Sequence, residues 1–394
     1  MHILELPSFF TPYGGEFCLD QAKALQDYGH EVRILSLVQI SIKKSLTEYI
    51  SFPYHTVKEQ VDGVEVIKRY LRGIPKSIKR NQTKWVFKVI QMFDKYVMEY
   101  GKPDIIHAHC AKWAGYASML ISKKYNIPYV ITEHLSSGIL KPEFDICGGL
   151  NAWQIPMLKE AYYNANTVIP VSEELVLDLK PFFGDSYKYF IISNAIDTSF
   201  FKYKKRPSTK NNNFTFCCLA RFDHGKGYDI LLPAFDLVCE IYPNCKLHVA
   251  GRNTDSTNFK KLLSGIKHTG NISIHGNLNK HQVREILYNS NALVLASRSE
   301  AQSLVLLEAL STGIPIITTP CIAESQKIGN SYTIVPYNDS QALAKAMQEL
   351  VENPKDCYDA SLYIKQNYSG KQLAIKLTNI FKNIIIQLTI SFVA

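Results

Sequence analysis

Two successive runs of alternating strand-like and helix-like segments constrain this chain more than any other feature. Over residues 1–195 the short β-branched runs are HILEL at the start, EVRILSLV from Glu31, VEVIKRY from Val64, DIIHAH from Asp104, IPYVIT from Ile127, NTVIPV from Asn166 and KYFIIS from Lys188. Segments of helical period lie between several of them, such as residues 15–28, 113–125 and 158–164. The polar, basic stretch at 202–213, KYKKRPSTKNNN, interrupts the alternation. It then restarts with FTFCCLA from Phe214, KLHVAG from Lys246, NISIHG from Asn271, NALVLAS from Asn291, IPIITT from Ile314 and YTIVP from Tyr332. Strand and helix in turn imply mainly parallel sheets with helices on both faces. The chain is therefore expected to form two doubly wound α/β domains, with the boundary in the basic stretch.

At 394 residues the chain exceeds what one hydrophobic core normally serves, which agrees with two Rossmann-like domains. Ligands of open α/β sheets bind beyond the carboxyl ends of the strands, so two such domains facing each other are expected to enclose a cleft. A formal charge of +9, from 44 basic and 35 acidic residues, favours anionic partners: nucleotides, phosphates, nucleic acid or an acidic membrane surface. The nine cysteines include no CxxC pair, which fits neither a zinc site nor a disulfide framework and points to a reducing cytosol. The start, MHILELPSFFTPYGG, reads as a buried first strand, and the apolar ending IIIQLTISFVA falls short of the roughly 20 residues of a spanning helix. A cytoplasmic protein, free or peripheral on the inner face of the membrane, is expected.

Two segments of the second half carry chemistry. In LARFDHGKGYDILLPAF, residues 219–235, Arg221 stands at the end of a strand and Lys226 in the glycine-bearing turn before a helix. Cations beside a helix N-terminus oppose the helix dipole unless an anion lies between them, so a phosphate is the expected occupant, with an incidentally charged, solvated turn as the alternative. GKG lacks the remaining residues of a P-loop. In SEAQSLVLLEALST, residues 299–312, Glu300 lies in a loop above a strand. Ser303, Leu304 and Val305 begin a helix whose first backbone N–H groups can receive phosphate oxygens, and Glu308 sits in its second turn among leucines. Such a carboxylate wants a partner, either ribose hydroxyls or a core lysine or arginine.

R-x4-K followed some eighty residues later by E-x7-E, with GIPII just beyond, resembles the family 4 retaining glycosyltransferases, whose fold is GT-B. The resemblance implies that Arg221 and Lys226 clamp the donor diphosphate, that Glu308 holds the ribose, and that Glu300 contacts the donor sugar, with the backbone at Ser303, Leu304 and Val305 facing the phosphates. Three features of the first half also resemble the family. TPYGGEFCLDQAKALQDYGHEV matches its glycine-rich loop, where Gly14 and Gly15 either admit substrate close to backbone or simply make a turn. DIIHAHCAKWAGYASML places His107 and His109 on one side of a strand, where core or polar-network roles are commoner than metal binding and no third ligand is evident. In IPYVITEHLSSG the resemblance implies that His134 reaches the donor sugar and acts in catalysis with Glu300, Arg221 and Lys226, while Glu133 is structural. Gly251, in VAGRN, falls in the loop expected near the nucleotide base, although Asn253 replaces a usual glycine; Ala195, Ala301 and Gln302 also depart from the family pattern.

The domains are then expected at 1–200 for the acceptor, at 201–365 for the nucleotide sugar, and a helical segment at 366–394 packing back on the first. The expected reaction is retaining transfer of a sugar from a UDP- or GDP-sugar to a hydroxyl of a glycan or lipid-linked acceptor, in surface polysaccharide biosynthesis. No metal or other cofactor is expected, since the chain has no D-x-D motif. A nucleotide-sugar 2-epimerase and a non-catalytic nucleotide-sugar-binding protein are the alternatives. Between Ile67 and Lys88 lie eight basic residues and no acidic one, with Trp85 and Phe87 interleaved. That segment suits an anionic membrane surface or a solvated loop, and nothing accompanies it that would suit nucleic acid.

Overall fold

The computed structural model describes the whole chain except residues 12–13, 43–45, 139, 141–151, 207–212 and 394, and the side chains of 391–393. It divides into two compact units, Met1–Ala195 with Gly370–Ala394, and Ile196–Ser369. The crossing comes a few residues before 201 because Ile196 already belongs to the second core, its N–H bonded 2.9 Å from the Tyr368 carbonyl.

The first unit has a seven-stranded sheet in the order β3-β4-β2-β1-β5-β6-β7. Its strands are β1 (His2–Pro7), β2 (Glu31–Ile40), β3 (Val57–Val61), β4 (Val64–Arg72), β5 (Ile105–His109), β6 (Tyr129–Glu133) and β7 (Thr167–Pro170). All neighbours pair in parallel except β3 with β4, an edge hairpin whose two-residue turn, Asp62-Gly63, has positive φ at both positions. Asp-Gly is the favoured pair for such a turn, so this hairpin was readable beforehand. The helices are α1 (Glu16–Asp27), α2 (Leu46–Ser51), α3 (Ile78–Tyr100), α4 (Tyr116–Tyr125), α5 (Gln154–Asn164) and α6 (Glu173–Phe183).

The second unit has six parallel strands in the order β10-β9-β8-β11-β12-β13. They are β8 (Thr215–Leu219), β9 (Lys246–Ala250), β10 (Ile272–Ile274), β11 (Ala292–Leu295), β12 (Ile316–Thr318) and β13 (Tyr332–Ile334). Around them lie α7 (Tyr228–Ile241), α8 (Thr257–Leu263), α9 (Lys280–Asn289), α10 (Leu304–Thr312), α11 (Ser340–Glu352) and α12 (Tyr358–Asn367), and α13 (Gly370–Val393) returns to the first unit. Both sheets follow the doubly wound strand order, which places a topological switch point between β1 and β5 and another between β8 and β11.

Three expectations change. KYFIIS forms no continuous strand: it runs beside β7, with the Val168 N–H donating to the Lys188 carbonyl at 2.9 Å and the Phe190 N–H to the Val168 carbonyl at 3.0 Å, but Tyr189 makes only a single bridge to Val168, and Phe190 and Ile191 face solvent. The helix expected from residue 113 begins only at Tyr116, after an irregular turn in which Cys110 and Trp113 have positive φ. The apolar ending is part of a 24-residue helix, α13, long and apolar enough by length and composition to cross a membrane. One stripe of it, Leu373, Leu377, Phe381 and Ile384, is buried in the first unit's core. Burial of those four side chains contributes roughly 6–12 kcal/mol.

Candidate functional site

The polar residues singled out in the second unit gather at its switch point. β8 ends at Leu219, and the chain turns through Arg221 and a short 3-10 turn, His224–Lys226, before Gly227 opens α7. Gly227 has φ +65°, and a Cβ there would stand 2.0 Å from the Ala296 carbonyl oxygen, so only glycine lets this loop lie against the end of β11. The turn is tied to the neighbouring loop through Arg298. Its N–H donates to the Gly225 carbonyl at 2.7 Å, and its guanidinium holds Asp229 at 2.9 and 2.7 Å.

Lys226 and Glu300 are thereby brought together. Lys226 Nζ donates to Glu300 Oε1 at 2.7 Å, and the Ser297 hydroxyl donates to the same oxygen at 2.8 Å. Arg221 pairs with Asp223 and is half exposed. Both cations thus rest on carboxylates, and a diphosphate would have to take them over. Ser303 is the N-cap of α10 and its side chain caps no amide, so the first-turn N–H groups remain open to an acceptor. Glu308 lies half-buried in the second turn, and Gly251 follows β9 with its N–H bonded to the Gly276 carbonyl at 2.7 Å.

The first unit gathers its own set between β1, β5 and β6. Glu5, wholly buried on β1, is the third member that the spacing of His107 and His109 did not reveal. His107 Nδ1 lies 3.0 Å and His109 Nε2 2.6 Å from its carboxylate, while His107 Nε2 reaches the Thr132 hydroxyl at 2.6 Å. Ligand atoms on a tetrahedral zinc ion sit about 3.4 Å apart, so these shorter contacts are spaced for shared protons. Because parallel β1 and β5 pair Glu5 with His107, only the register of the sheet brings the three together.

His134 follows β6, with its ring stacked on Phe17 at 3.8 Å and 5.8 Å from the His109 ring. Gly14 and Gly15 lead into the same helix as Phe17. A Cβ on Gly15 would stand 2.3 Å from the Phe9 carbonyl oxygen, so a tight internal turn already demands glycine there. Glu133 organises this end of the sheet. Its Oε1 accepts the N–H groups of His134 and Leu135, each at 2.9 Å, and its Oε2 accepts the Ala111 N–H at 2.9 Å and the Tyr162 hydroxyl at 2.6 Å. Glu5, Glu133, Asp223 and Arg298 were not singled out as site residues from the sequence, because their partners lie on other loops or strands.

Two family models divide the chain between them. "Glycosyltransferase Family 4" matches residues 14–200 and "Glycosyl transferases group 1" matches residues 199–367. The chain is a glycosyltransferase that resembles family 4. Among curated relatives, this glycosyltransferase is 26% identical over 361 residues, 86% of each chain, to the Bacillus subtilis protein TuaC, whose name places it in teichuronic acid biosynthesis. It is 23% identical over 363 residues, 84% of this chain and 83% of the relative, to the alpha-monoglucosyldiacylglycerol synthase of Acholeplasma laidlawii. Among solved structures, the sucrose-phosphate synthase of Thermosynechococcus elongatus matches with a TM-score of 0.79 at 16% identity, covering 98% of this chain and 100% of that one. Anabaena HepE in complex with UDP and glucose matches with a TM-score of 0.72 at 16% identity, covering 97% and 100%. These likenesses establish the GT-B fold.

The buried network of this glycosyltransferase makes its stability depend on pH. Burial alone would raise the Glu5 pKa, but the charges and hydrogen bonds of His107 and His109 outweigh it and hold it at about 2, against 4.5 in the free side chain. Glu5 therefore contributes stability that is present above pH 4.5 and is lost as the pH falls towards 2. Burial first, and neighbouring histidines second, hold His109 and His134 below the ordinary 6.5. The unfolded chain takes up those protons before the folded one does, so stability is also lost below pH 6.5. The thermal midpoint is expected to rise continuously from acid pH to about 7. Glu5→Gln should flatten its most acidic limb; a midpoint insensitive to pH in the wild type would contradict the network.

Proposed function

We propose that this glycosyltransferase transfers a sugar, with retention of anomeric configuration, from a UDP- or GDP-sugar to a hydroxyl of a glycan or lipid-linked acceptor in surface polysaccharide assembly. The observation that carries the reading is the convergence of Arg221, Lys226, Glu300 and the uncapped start of α10 at one switch point. Fixed cations and oriented amides suit a leaving diphosphate, whose charge grows in the transition state, and they need no metal to do so. The departing phosphate oxygen takes the acceptor proton as the acceptor attacks from the same face, so no protein general base is assigned. Glu308 is assigned to the ribose, Gly251 to the base loop, and Glu300 with His134 to the sugar. The nucleotide in the HepE complex and the polysaccharide and glycolipid names of the relatives support this reading.

The acceptor is assigned to the amino-terminal unit. Of its basic segment, Lys68 is buried and paired with Glu59 at 2.7 Å, and Trp85 is a core residue. Lys76, Lys79, Arg80 and Lys84 remain exposed beside Ile74, Ile78 and Phe87, a combination suited to peripheral contact with an anionic membrane.

Incubation with a panel of UDP-, GDP- and ADP-sugars, with and without EDTA, tests the reaction. Release of UDP or GDP, unchanged by EDTA, with an acceptor product of retained configuration is expected. A donor returned as its epimer without nucleotide release would establish the 2-epimerase instead.

A further inference from the structure

The carboxyl ends of β2, β4 and β5 hold a group of polar atoms that the reaction above leaves unused. Arg69 Nε, Gln39 Nε2, Trp113 Nε1 and both amide atoms of Gln82 are buried with no hydrogen-bond partner among the described residues. Four are donors and one is an acceptor. Buried polar groups are nearly always paired, so such a concentration asks for a ligand.

The fold explains why they share one place. In the β2–β4 register Leu37 faces Arg69 and Gln39 faces Leu71, so Gln39 and Arg69 project from the same side of the sheet. α3 covers that side, with Trp85 Nε1 donating to the Leu37 carbonyl at 2.7 Å. Gln82 lies three residues before Trp85 on the same helix face, and the Trp113 ring stands 5.8 Å from the Trp85 ring. Trp113 is held there at φ +71° by a strained turn that Ser8 and Glu133 tie down. Backbone strain maintained in this way is characteristic of ligand sites.

Among the described residues, the charges that act on Lys88 are all positive. Lys84 and Lys88 project from α3, whose N-cap Ser77 caps no amide and whose first turn carries no acid. Burial, then the nearby charges of Arg69, Lys95 and Lys84, lowers the Lys88 pKa, the effect expected of cations with no carboxylate among them.

We propose that these residues form a phosphate subsite for the acceptor, with Arg69 as its charged anchor, Gln39, Gln82 and Trp113 as neutral donors, and Lys84 and Lys88 supplying further positive charge. Donors arriving from two strands, a helix and a loop match a tetrahedral oxyanion better than a planar carboxylate. The proposal rests on the reading that the amino-terminal unit takes the acceptor.

Tryptophan fluorescence tests it, because Trp85, Trp113 and Trp153 all belong to the first unit, whereas the donor clamp belongs to the second. Titration of the full chain with inorganic phosphate should change the emission saturably, and equally in Lys226→Ala. Arg69→Gln should weaken that response at least tenfold. Gln82→Leu should weaken it several-fold without lowering the melting temperature, and it carries the test if Arg69→Gln fails to fold. No saturable change, or a change lost in Lys226→Ala and kept in Arg69→Gln, would overturn the subsite. Vesicles of phosphatidylglycerol, set against phosphatidylcholine, name the source: competition with phosphate means a lipid phosphate, and its absence with the phosphate response intact means a soluble one. Nucleotide release from the donor panel is read separately, so a chain that turns over donor without responding to phosphate would lose only this inference.

Discussion

Lys226→Ala is expected to lower kcat/KM by about 10²–10³-fold, the loss typical of removing one fixed charge-stabilising donor. Lys226 is held in place before any donor arrives, by its 2.7 Å contact with Glu300 and by a turn anchored through Arg298. Its removal also strips Glu300 of a cation and leaves it only the Ser297 hydroxyl among the partners described above. The effects of Lys226→Ala and Glu300→Gln should therefore be strongly non-additive, the double variant being little worse than the poorer single one. Steady-state kinetics on the four members of that cycle decide the matter. Additive losses would mean that the two residues act independently, and a Lys226→Ala enzyme as active as the wild type would remove the clamp.

Glu133→Ala should cost roughly 3–5 kcal/mol of stability, because it leaves three backbone N–H groups and the Tyr162 hydroxyl without their acceptor in a buried setting. The carboxylate joins the turn after β5 to the turn after β6, so the damage should spread to the placement of both Trp113 and His134. Glu133→Gln discriminates further. Its amide oxygen can serve the His134 and Leu135 N–H groups or the Ala111 and Tyr162 donors, whereas its NH2 group must then meet the Ala111 or His134 N–H head on. Gln is isosteric yet should lose much of the stability that Ala loses. Thermal and denaturant unfolding of both variants provide the measurement, and a Glu133→Gln protein as stable as the wild type would show that the acceptor pairs are not required.

How much of this was legible follows from the range of each interaction. The α/β alternation, the order of the motifs and the helix start at Ser303 depend on residues a few positions apart, where periodicity and capping chemistry operate. The Asp62-Gly63 hairpin is legible too, because Asp-Gly between two β-branched runs is itself a turn signal. KYFIIS has the composition of a strand and bonds along β7, yet it keeps only a single bridge there, and composition does not say how far a neighbour is followed. Trp85 and Lys68, read with a surface segment, went into the core because α3 and β4 each turn one face inward.

Local pattern by itself determined that the chain would form two doubly wound units and that Arg221, Lys226, Glu300 and Glu308 would stand at strand ends and a helix start. The pairing of Lys226 with Glu300, the meeting of Glu5 with His107 and His109, the four hydrogen bonds of Glu133 and the unpartnered group around Arg69 came only with the folded structure. Apart from the Glu133 bonds to its neighbours His134 and Leu135, the hydrogen bonds among these join residues on different loops, strands or helices, at separations in sequence from 22 to 104. Hydrogen bonds act over about 3 Å, and only sheet register and loop geometry decide which distant groups come that close.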